Sequence, residues 1–177
     1  MYLNVPFVSQ LDFGGDQHLD DPTGCWYASA CMIAYSFEAG PRQGVPALYS
    51  MPLPQADGTT RTGHWAITDG WLPTLMANEH LVVLDGGLPA SVAELDLTLR
   101  QWGPLFMPWI KTHGGNTYGH ISVIIGVNDV DMIYHDPENA PRSEMALEDM
   151  RAKIAQGGWP LLRRDAQPFS CGATVSP

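Results

Sequence analysis

A cysteine stands at the predicted start of a helix, in the stretch TGCWYASACM over residues 23–32. A cysteine is nucleophilic as its thiolate, and the unpaired N–H groups of a helix amino terminus lower the pKa of a thiol. Thr23 or Gly24 can cap this helix, which places Cys25 in its first turn. Because thiolate catalysis also needs a base and a group that orients the base, the rest of the chain must supply both.

A histidine and an aspartate are predicted to meet at one end of a β-hairpin. His120 opens the most β-prone run of the chain, HISVIIGV, and Asp136 closes the next one, DMIYHDP. The turn at Asn128–Asp129 makes the two strands antiparallel, so their outer ends lie side by side. We therefore predict that Asp136 binds one ring nitrogen of His120 while the other faces Cys25.

An amide-cleaving thiolate also needs donors for the oxyanion that forms on the substrate. The backbone N–H of Cys25 is one, and we predict that the side-chain amide of Gln10 is the second. Gln17 is nearer in sequence but lies in a loop without a strand to hold it. Trp26 and Gly119 flank the proposed nucleophile and base and are predicted substrate contacts, although Trp26 is equally compatible with ordinary packing.

The other cysteines and histidines have structural interpretations. Cys31 is rotated away from Cys25 on the same helix and should pack in the core, and Cys171 lies in a tail. Three cysteines form no disulfide framework, and the histidines show no zinc-binding spacing. His135 points to the opposite strand face from Asp136 and should be structural. We expect no metal and no cofactor.

The chain reads as one α+β domain over residues 1–177, with helices mostly first and an antiparallel sheet mostly later. The first helix should run from Cys25 to Ala39 and stop at Gly40-Pro41, with an extended loop over residues 40–65. The pattern from Ser91 to Glu94 is a capping box that opens another helix. Beyond residue 139 we expect a helix capped by Ser143, a last strand and a tail.

Five stretches resemble the papain-like bacterial cysteine peptidases. They are NVPFVSQLD, TGCWYASACMIAY, LRQWGPLFM, GHISVIIGV and YHDP, which run in order from about residue 3 to residue 138. The resemblance is to the AvrRpt2-type effector peptidases (family C70) and the C39-like peptidases, and the Cys-Trp and Gly-Pro-Leu segments favour the AvrRpt2 type. It implies a papain-like fold, in which an amino-terminal helix with the nucleophile packs on a carboxy-terminal antiparallel sheet.

The same resemblance assigns the roles of the site residues. It makes Cys25 the nucleophile, His120 the base, Asp136 the orienting acid and Gln10 the oxyanion donor. The implied activity is hydrolysis of an amide bond by a bacterial effector or toxin. Three alternatives remain open: a peptidoglycan amidase or endopeptidase, a thiol acyltransferase or transglutaminase, and a non-catalytic binding module on the same fold.

The composition and net charge of the chain limit the classes of molecule that it can bind. The net charge of −10 and the scattered basic residues argue against nucleic acid, and no apolar run is long enough to span a bilayer. We expect a protein, peptide or peptidoglycan substrate. The amino terminus lacks the pattern of a Sec signal, so we expect synthesis in the cytoplasm of a bacterium and export by a specialised secretion system, or excision from a larger chain. An immunity protein or a secretion-system carrier would then be a partner.

Overall fold

The computed structural model describes residues 1–11, 17–18, 21–38, 42–62 and 66–165. The helices in these residues are α1 Cys25–Tyr35, α2 Pro46–Ser50, α3 Leu72–Asn78, α4 Val92–Trp102 and α5 Leu147–Gly157. The strands are β1 Val8–Ser9, β2 Gln17–His18, β3 Pro52–Pro54, β4 Thr60–Thr62, β5 Leu81–Val83, β6 Leu105–His113, β7 Asn116–Val127, β8 Asp131–His135, β9 Ser143–Ala146 and β10 Leu162–Arg164. No helix in these ranges is long and apolar enough to cross a membrane.

Six strands form an antiparallel sheet in the order β5-β10-β6-β7-β8-β9. Helix α1 packs against β7 and is buried from Ala28 to Ala34, which explains why its sequence is apolar on every side. One turn after Cys25, the buried Ser29 hydroxyl donates to the Ile121 carbonyl at 3.2 Å. This bond ties the start of α1 to the strand residue that follows His120.

The β6–β7 hairpin is closed by a two-residue turn, Gly114-Gly115, in which both residues have positive φ (56° and 82°). Such a turn matches the right-handed twist of the strands and requires residues without a Cβ penalty. His113 pairs with Asn116 across it, and the register then runs without interruption to Trp109 opposite His120. The turn therefore determines which β6 residues lie beside His120.

The β7–β8 pairing places Val123 opposite His135, with a register irregularity between Ile124 and Gly126. Beyond the end of β6, the amino-terminal segment takes the neighbouring position along β7, where Tyr2 forms a bridge with Gly126. The Leu3 N–H donates to the Ile125 carbonyl at 2.7 Å. The segment that leads to Gln10 is thus anchored on the central strand.

The boundaries of three predicted elements are wrong. Helix α1 ends at Tyr35 rather than Ala39, because the Ser36 N–H and hydroxyl both donate to carbonyls of the last helical turn. Strand β7 begins at Asn116 rather than at His120, because the Gly-Gly turn precedes Asn116 directly. The predicted loop over residues 40–65 contains α2 and the β3–β4 hairpin.

Ser143 does not cap the last helix. It pairs with Tyr134 at the start of β9, the edge strand of the sheet. Helix α5 begins only at Leu147, where Glu148 and Asp149 place negative charge in the first turn. The capping pattern was outweighed by strand pairing, since residues 143–146 alternate between half-buried and exposed positions as an edge strand does.

Candidate active site

Cys25 is the first residue of α1 and is partly exposed, whereas the rest of the helix is largely buried. Gly24 occupies the N-cap position without a side-chain cap, so the N–H groups of the first turn are not claimed by a capping side chain. Asp21 shapes the approach to the helix by accepting from the Thr23 N–H at 2.8 Å and the Thr23 hydroxyl at 2.7 Å. The thiol therefore stands at the partially positive end of a helix.

His120 and Asp136 meet as a buried pair. The Nε2 atom of His120 lies 2.7 Å from Oδ1 of Asp136, and each residue is at most 3% exposed. Burial opposes protonation of His120, but hydrogen bonds with Asp136 and with the Cys25 sulfur outweigh it and raise its pKa to about 9. The ring thus connects the carboxylate to the thiol and is held in its charged form at neutral pH.

Asp136 is in turn held by a lysine. The Lys111 ammonium lies 2.7 Å from Oδ2 of Asp136 and 2.7 Å from Oε2 of Glu138. Burial alone would raise the pKa of Asp136, but hydrogen bonds from His120 and Lys111 hold it below its usual value. The Tyr118 hydroxyl donates to the same Glu138 oxygen at 2.6 Å.

Two aromatic rings contact the His120 imidazole edge to face. Trp109 packs at a ring-centroid distance of 5.7 Å and Tyr118 at 6.2 Å, with interplanar angles of 75° and 88°. The Trp109 indole N–H is itself fixed on the Ser122 hydroxyl at 3.0 Å. These contacts restrict rotation of the imidazole and keep water from its bond to Asp136.

Gln10 is buried beside the loop that leads into α1. Its Nε2 donates to the Pro22 carbonyl at 2.8 Å, which engages one of the two N–H donors of the amide. Its backbone pairs on both sides: the N–H donates to the Pro137 carbonyl at 2.8 Å, and the carbonyl accepts from Asp21 at 2.7 Å. The backbone of Gln10 is therefore held between the segment that carries Asp136 and the segment that carries Cys25. The prediction that Gln17 lies in a loop without a strand is wrong, because Gln17 is on β2 and pairs with Val8 of β1. The Gln17 side chain lies outside the described part of the structure.

A cavity of about 240 Å³ opens beside Cys25 and His120. Apart from these two residues, its wall is mainly apolar and comes from three segments: Ala66 and Ile67, the β6–β7 hairpin, and Gly157 and Trp159. Gly119 lines the cavity, where a Cβ would meet no atom within 4 Å. The cavity is a cleft that can take an apolar group next to the thiol.

Trp26 does not line this cleft, so its predicted substrate contact is wrong. It is 1% exposed and stacks on Tyr49 at a centroid distance of 5.9 Å. One residue along an α-helix is a rotation of about 100°, which turns Trp26 from the cleft into the core.

Among the described residues, Cys31 and His135 lie apart from the thiol–imidazole pair. Cys31 is 2% exposed, and burial raises the pKa of its thiol to about 12. His135 binds the Val5 carbonyl through Nε2 and accepts the Arg142 N–H on Nδ1, which fixes a neutral ring in a structural position. Cys171 and His64 lie outside the described residues.

His120, Asp136 and Glu138 bring ligand-type atoms within 4.8 Å of one another. The Lys111 ammonium already lies between the two carboxylates, and the His120 nitrogen that faces them is bonded to Asp136. A divalent cation would have to displace a buried cation of the protein itself. This donor set is therefore that of an ion-pair network and does not fit a metal.

Sequence reasoning missed four residues of the site: Trp109, Lys111, Tyr118 and Glu138. The first three could have been found from the Gly114-Gly115 turn, since a two-residue hairpin determines every pair along its strands. Counting back from that turn pairs Trp109 with His120 and Lys111 with Tyr118 on one face. Glu138 follows β8, where no strand register applies.

Two comparisons with known proteins agree with this architecture. The model of the papain-like cysteine protease AvrRpt2 family matches residues 4–155. A crystal structure from Bacillus anthracis, assigned as a C39-like peptidase, superposes with a TM-score of 0.60 at 16% sequence identity. The superposition covers 94% of this chain and 98% of the other, so the similarity extends over the whole fold. The predicted papain-like α+β fold is confirmed.

Proposed function

Since this chain belongs to the family of the papain-like cysteine protease AvrRpt2, we propose that it hydrolyses peptide bonds through an acyl-enzyme on Cys25. His120 is the base, Asp136 orients it, and Gln10 supplies an oxyanion donor. The single observation that carries the proposal is the His120 ring, which binds Asp136 through Nε2 at 2.7 Å and interacts with the Cys25 sulfur. A purely structural histidine would not need a thiol at a helix amino terminus on its other side.

The reaction proceeds by two acyl transfers. In the resting site His120 holds the proton of Cys25, and the Cys25 thiolate attacks the substrate carbonyl carbon to form a tetrahedral oxyanion. The backbone N–H of Cys25 and the second Nε2 proton of Gln10 are the proposed donors to that oxygen. Collapse expels the amine, which takes the proton from His120, and leaves a thioester. Water, deprotonated by His120, then attacks the thioester, and the second collapse releases the carboxylic acid and regenerates the thiolate beside the protonated His120.

The cleft supports a peptide substrate with an apolar side chain close to the scissile bond. The segment around Ile67 and the segment around Trp159 form its walls, and the Trp159 indole donates to Asp69 at 2.5 Å across them. Burial of an apolar side chain between these walls would contribute roughly 1.5–3 kcal/mol to binding. A carboxamide in peptidoglycan would meet the same catalytic groups but gain less from an apolar wall.

The role as a bacterial effector or toxin is part of the proposal and is supported by the family alone. It includes export by a specialised secretion system or excision from a larger chain, and a carrier or immunity protein as a partner. The catalytic proposal does not depend on this biological role.

The test is to incubate the protein with a library of internally quenched peptides and, separately, with purified sacculi. We expect cleavage of peptides that carry an apolar residue near the scissile bond, and a transient acyl adduct on Cys25 by mass spectrometry. Cys25→Ala should abolish both, and Cys31→Ala, which removes the buried thiol of the same helix, should retain both.

Peptide hydrolysis by Cys25→Ala at the wild-type rate would refute the assignment of the nucleophile. Release of fragments from sacculi without cleavage of any peptide would favour the amidase alternative. Transfer of the acyl group to an added amine in preference to water would favour the acyltransferase.

A further inference from the structure

Behind the His120–Asp136 pair lies a buried ion pair that the hydrolytic steps do not use. Lys111 is on β6 with a side chain that is 7% exposed, and its ammonium contacts Asp136 and Glu138 at 2.7 Å each. The Glu138 side chain is 24% exposed, and its backbone N–H donates to Oδ1 of Asp136 at 3.1 Å. The four charged groups form one connected network that ends at the His120 ring.

A buried lysine is costly unless its charge is matched, because desolvation of an ammonium outweighs most single ion pairs. Here the ammonium meets two carboxylates, and Glu138 is further held by the Tyr118 hydroxyl. Lys111 is also only a few residues from the Gly114-Gly115 turn, and a lysine close to a hairpin turn usually extends its side chain into solvent. The Lys111 side chain nevertheless points inward, which indicates a role other than packing.

The charges of the network depend on Lys111. Asp136, Glu138 and Lys111 together carry one negative charge, which the His120 imidazolium neutralises. Without the ammonium, two nearby carboxylates would compete for a proton, and a protonated Asp136 would no longer stabilise an imidazolium. Among the residues that the structure describes, the other ionisable groups beside the His120 ring are Cys25 on α1 and Tyr118 on β7.

One further cation lies nearby on α5. Lys153 approaches the Trp109 ring to 5.7 Å. Lys153 contacts the Trp109 indole, which shields His120. It does not contact the carboxylates of Asp136 and Glu138, so it is separate from the network.

We propose that Lys111 and Glu138 are positioning residues: their ion pair keeps Asp136 ionised and sets the single negative charge that retains the imidazolium beside the Cys25 thiolate. This inference rests on the proposed thiol chemistry. It implies that the pH range over which the enzyme is active is set by an ion pair that is separated from Cys25 by Asp136 and His120.

The experiment measures the pH dependence of two rates, Cys25 alkylation by iodoacetamide and kcat/KM for a cleaved peptide. It compares the wild type with Lys111→Met, Glu138→Gln and the double variant. Lys111→Met removes the cation and should move the acidic limb of both pH–rate profiles to higher pH by about 1 unit. The reason is that Asp136 and the thiolate both lose stabilisation. Glu138→Gln removes an anion near His120 and should move the alkaline limb to lower pH by a similar amount.

The double variant is the decisive control, since it carries the same network charge as the wild type. Both limbs should return to within a few tenths of a unit of the wild-type positions. If Lys111→Met does not fold, the comparison of Glu138→Gln with the double variant still tests the effect of the ammonium. Identical limbs for those two variants, or wild-type limbs in every variant, would overturn the inference.

The two readouts separate this inference from the proposed function. Peptide hydrolysis with unmoved limbs would overturn the inference alone. Limb shifts in alkylation without any hydrolysis in the wild type would support the role of the ion pair and refute the proposed hydrolysis.

Discussion

At the scale of single residues, α1 presents the same chemical group in two environments. Cys25 is at the first position of the helix, partly exposed and next to an imidazole, whereas Cys31 is buried among apolar side chains. A buried thiol loses the solvation that a thiolate needs, and burial raises the pKa of Cys31 to about 12. The position on the helix, and not the residue type, thus separates a nucleophile from a core residue.

We expect Cys25 to react with iodoacetamide near neutral pH at least about a hundredfold faster than Cys31, because of the two only Cys25 combines access and a helix amino terminus with an imidazole partner. Peptide mapping by mass spectrometry after timed quenching would give both rates. A variant with Cys31→Ala should leave the Cys25 rate unchanged. Equal rates at the two thiols would show that the imidazole does not activate Cys25.

Gln10→Ala should separate stabilisation of the oxyanion from activation of the thiol. Turnover should fall by about 10²–10³, the usual effect of deleting one oxyanion donor, while the alkylation rate of Cys25 stays close to that of the wild type. Gln17→Ala is the matched control and should retain turnover. Wild-type turnover in Gln10→Ala together with a large loss in Gln17→Ala would transfer the role to Gln17.

At the scale of secondary structure, β7 is the element on which the site is assembled. It carries His120, its hairpin with β6 brings in Trp109 and Lys111, and its other neighbour β8 leads directly into Asp136. Its far end holds the amino-terminal segment at Gly126, where an added Cβ would lie 2.6 Å from the Met1 carbonyl oxygen. The strand therefore couples the position of the base to that of the segment that ends at Gln10.

Gly126→Ala should lower the free energy of unfolding by about 1–3 kcal/mol, because the backbone of residues 1–2 must move away from the new methyl group. Gly119→Ala, on the same strand with open space at the Cβ position, should change stability by less than about 0.5 kcal/mol. Urea unfolding followed by tryptophan fluorescence would measure both. An equal, small effect at the two positions would mean that the amino-terminal segment is not packed on β7.

At the scale of the whole molecule, two buried histidines give the fold opposite dependences on pH. Hydrogen bonds with Asp136 and the Cys25 sulfur outweigh burial and raise the pKa of His120 to about 9, so its contribution to stability is full below about pH 6.5 and is lost as the pH rises through 9. Burial lowers the pKa of His135 to about 4, so its contribution is full above about pH 6.5 and is lost as the pH falls through 4. His120 links the Asp136 carboxylate to the Cys25 sulfur, and His135 links the amino-terminal segment to the β8–β9 hairpin.

We expect the neutral His135 to cause a loss of up to about 3 kcal/mol in the free energy of unfolding between pH 6.5 and pH 4, because the unfolded chain binds a proton there that the folded chain excludes. His135→Gln should be less stable at pH 7, since it loses packing on Phe7, but its stability should fall less steeply over this range. Urea unfolding at several pH values would give the two slopes. Parallel slopes would show that His135 is not the group that titrates.

The amino-acid sequence by itself determined which groups are available for chemistry and the strands on which they lie. The order of Gln10, Cys25, His120 and Asp136, the Asn128–Asp129 turn and the helix start at Cys25 are local features, and local propensity acts over a few residues. Counting from the Gly114-Gly115 turn would also have reached Lys111, because hairpin pairing follows from turn length alone.

Tertiary structure decided the features that depend on distant parts of the chain. Ser143 satisfies a helix-cap pattern, yet it pairs with Tyr134 of β8 and therefore lies in strand β9. Trp26 could face the cleft or the core until the packing of α1 on β7 fixed the rotation of the helix. The contact of Glu138 with Lys111 joins a loop to a hairpin, and no local pattern encodes it, because its free energy exists only once burial brings the two charges together.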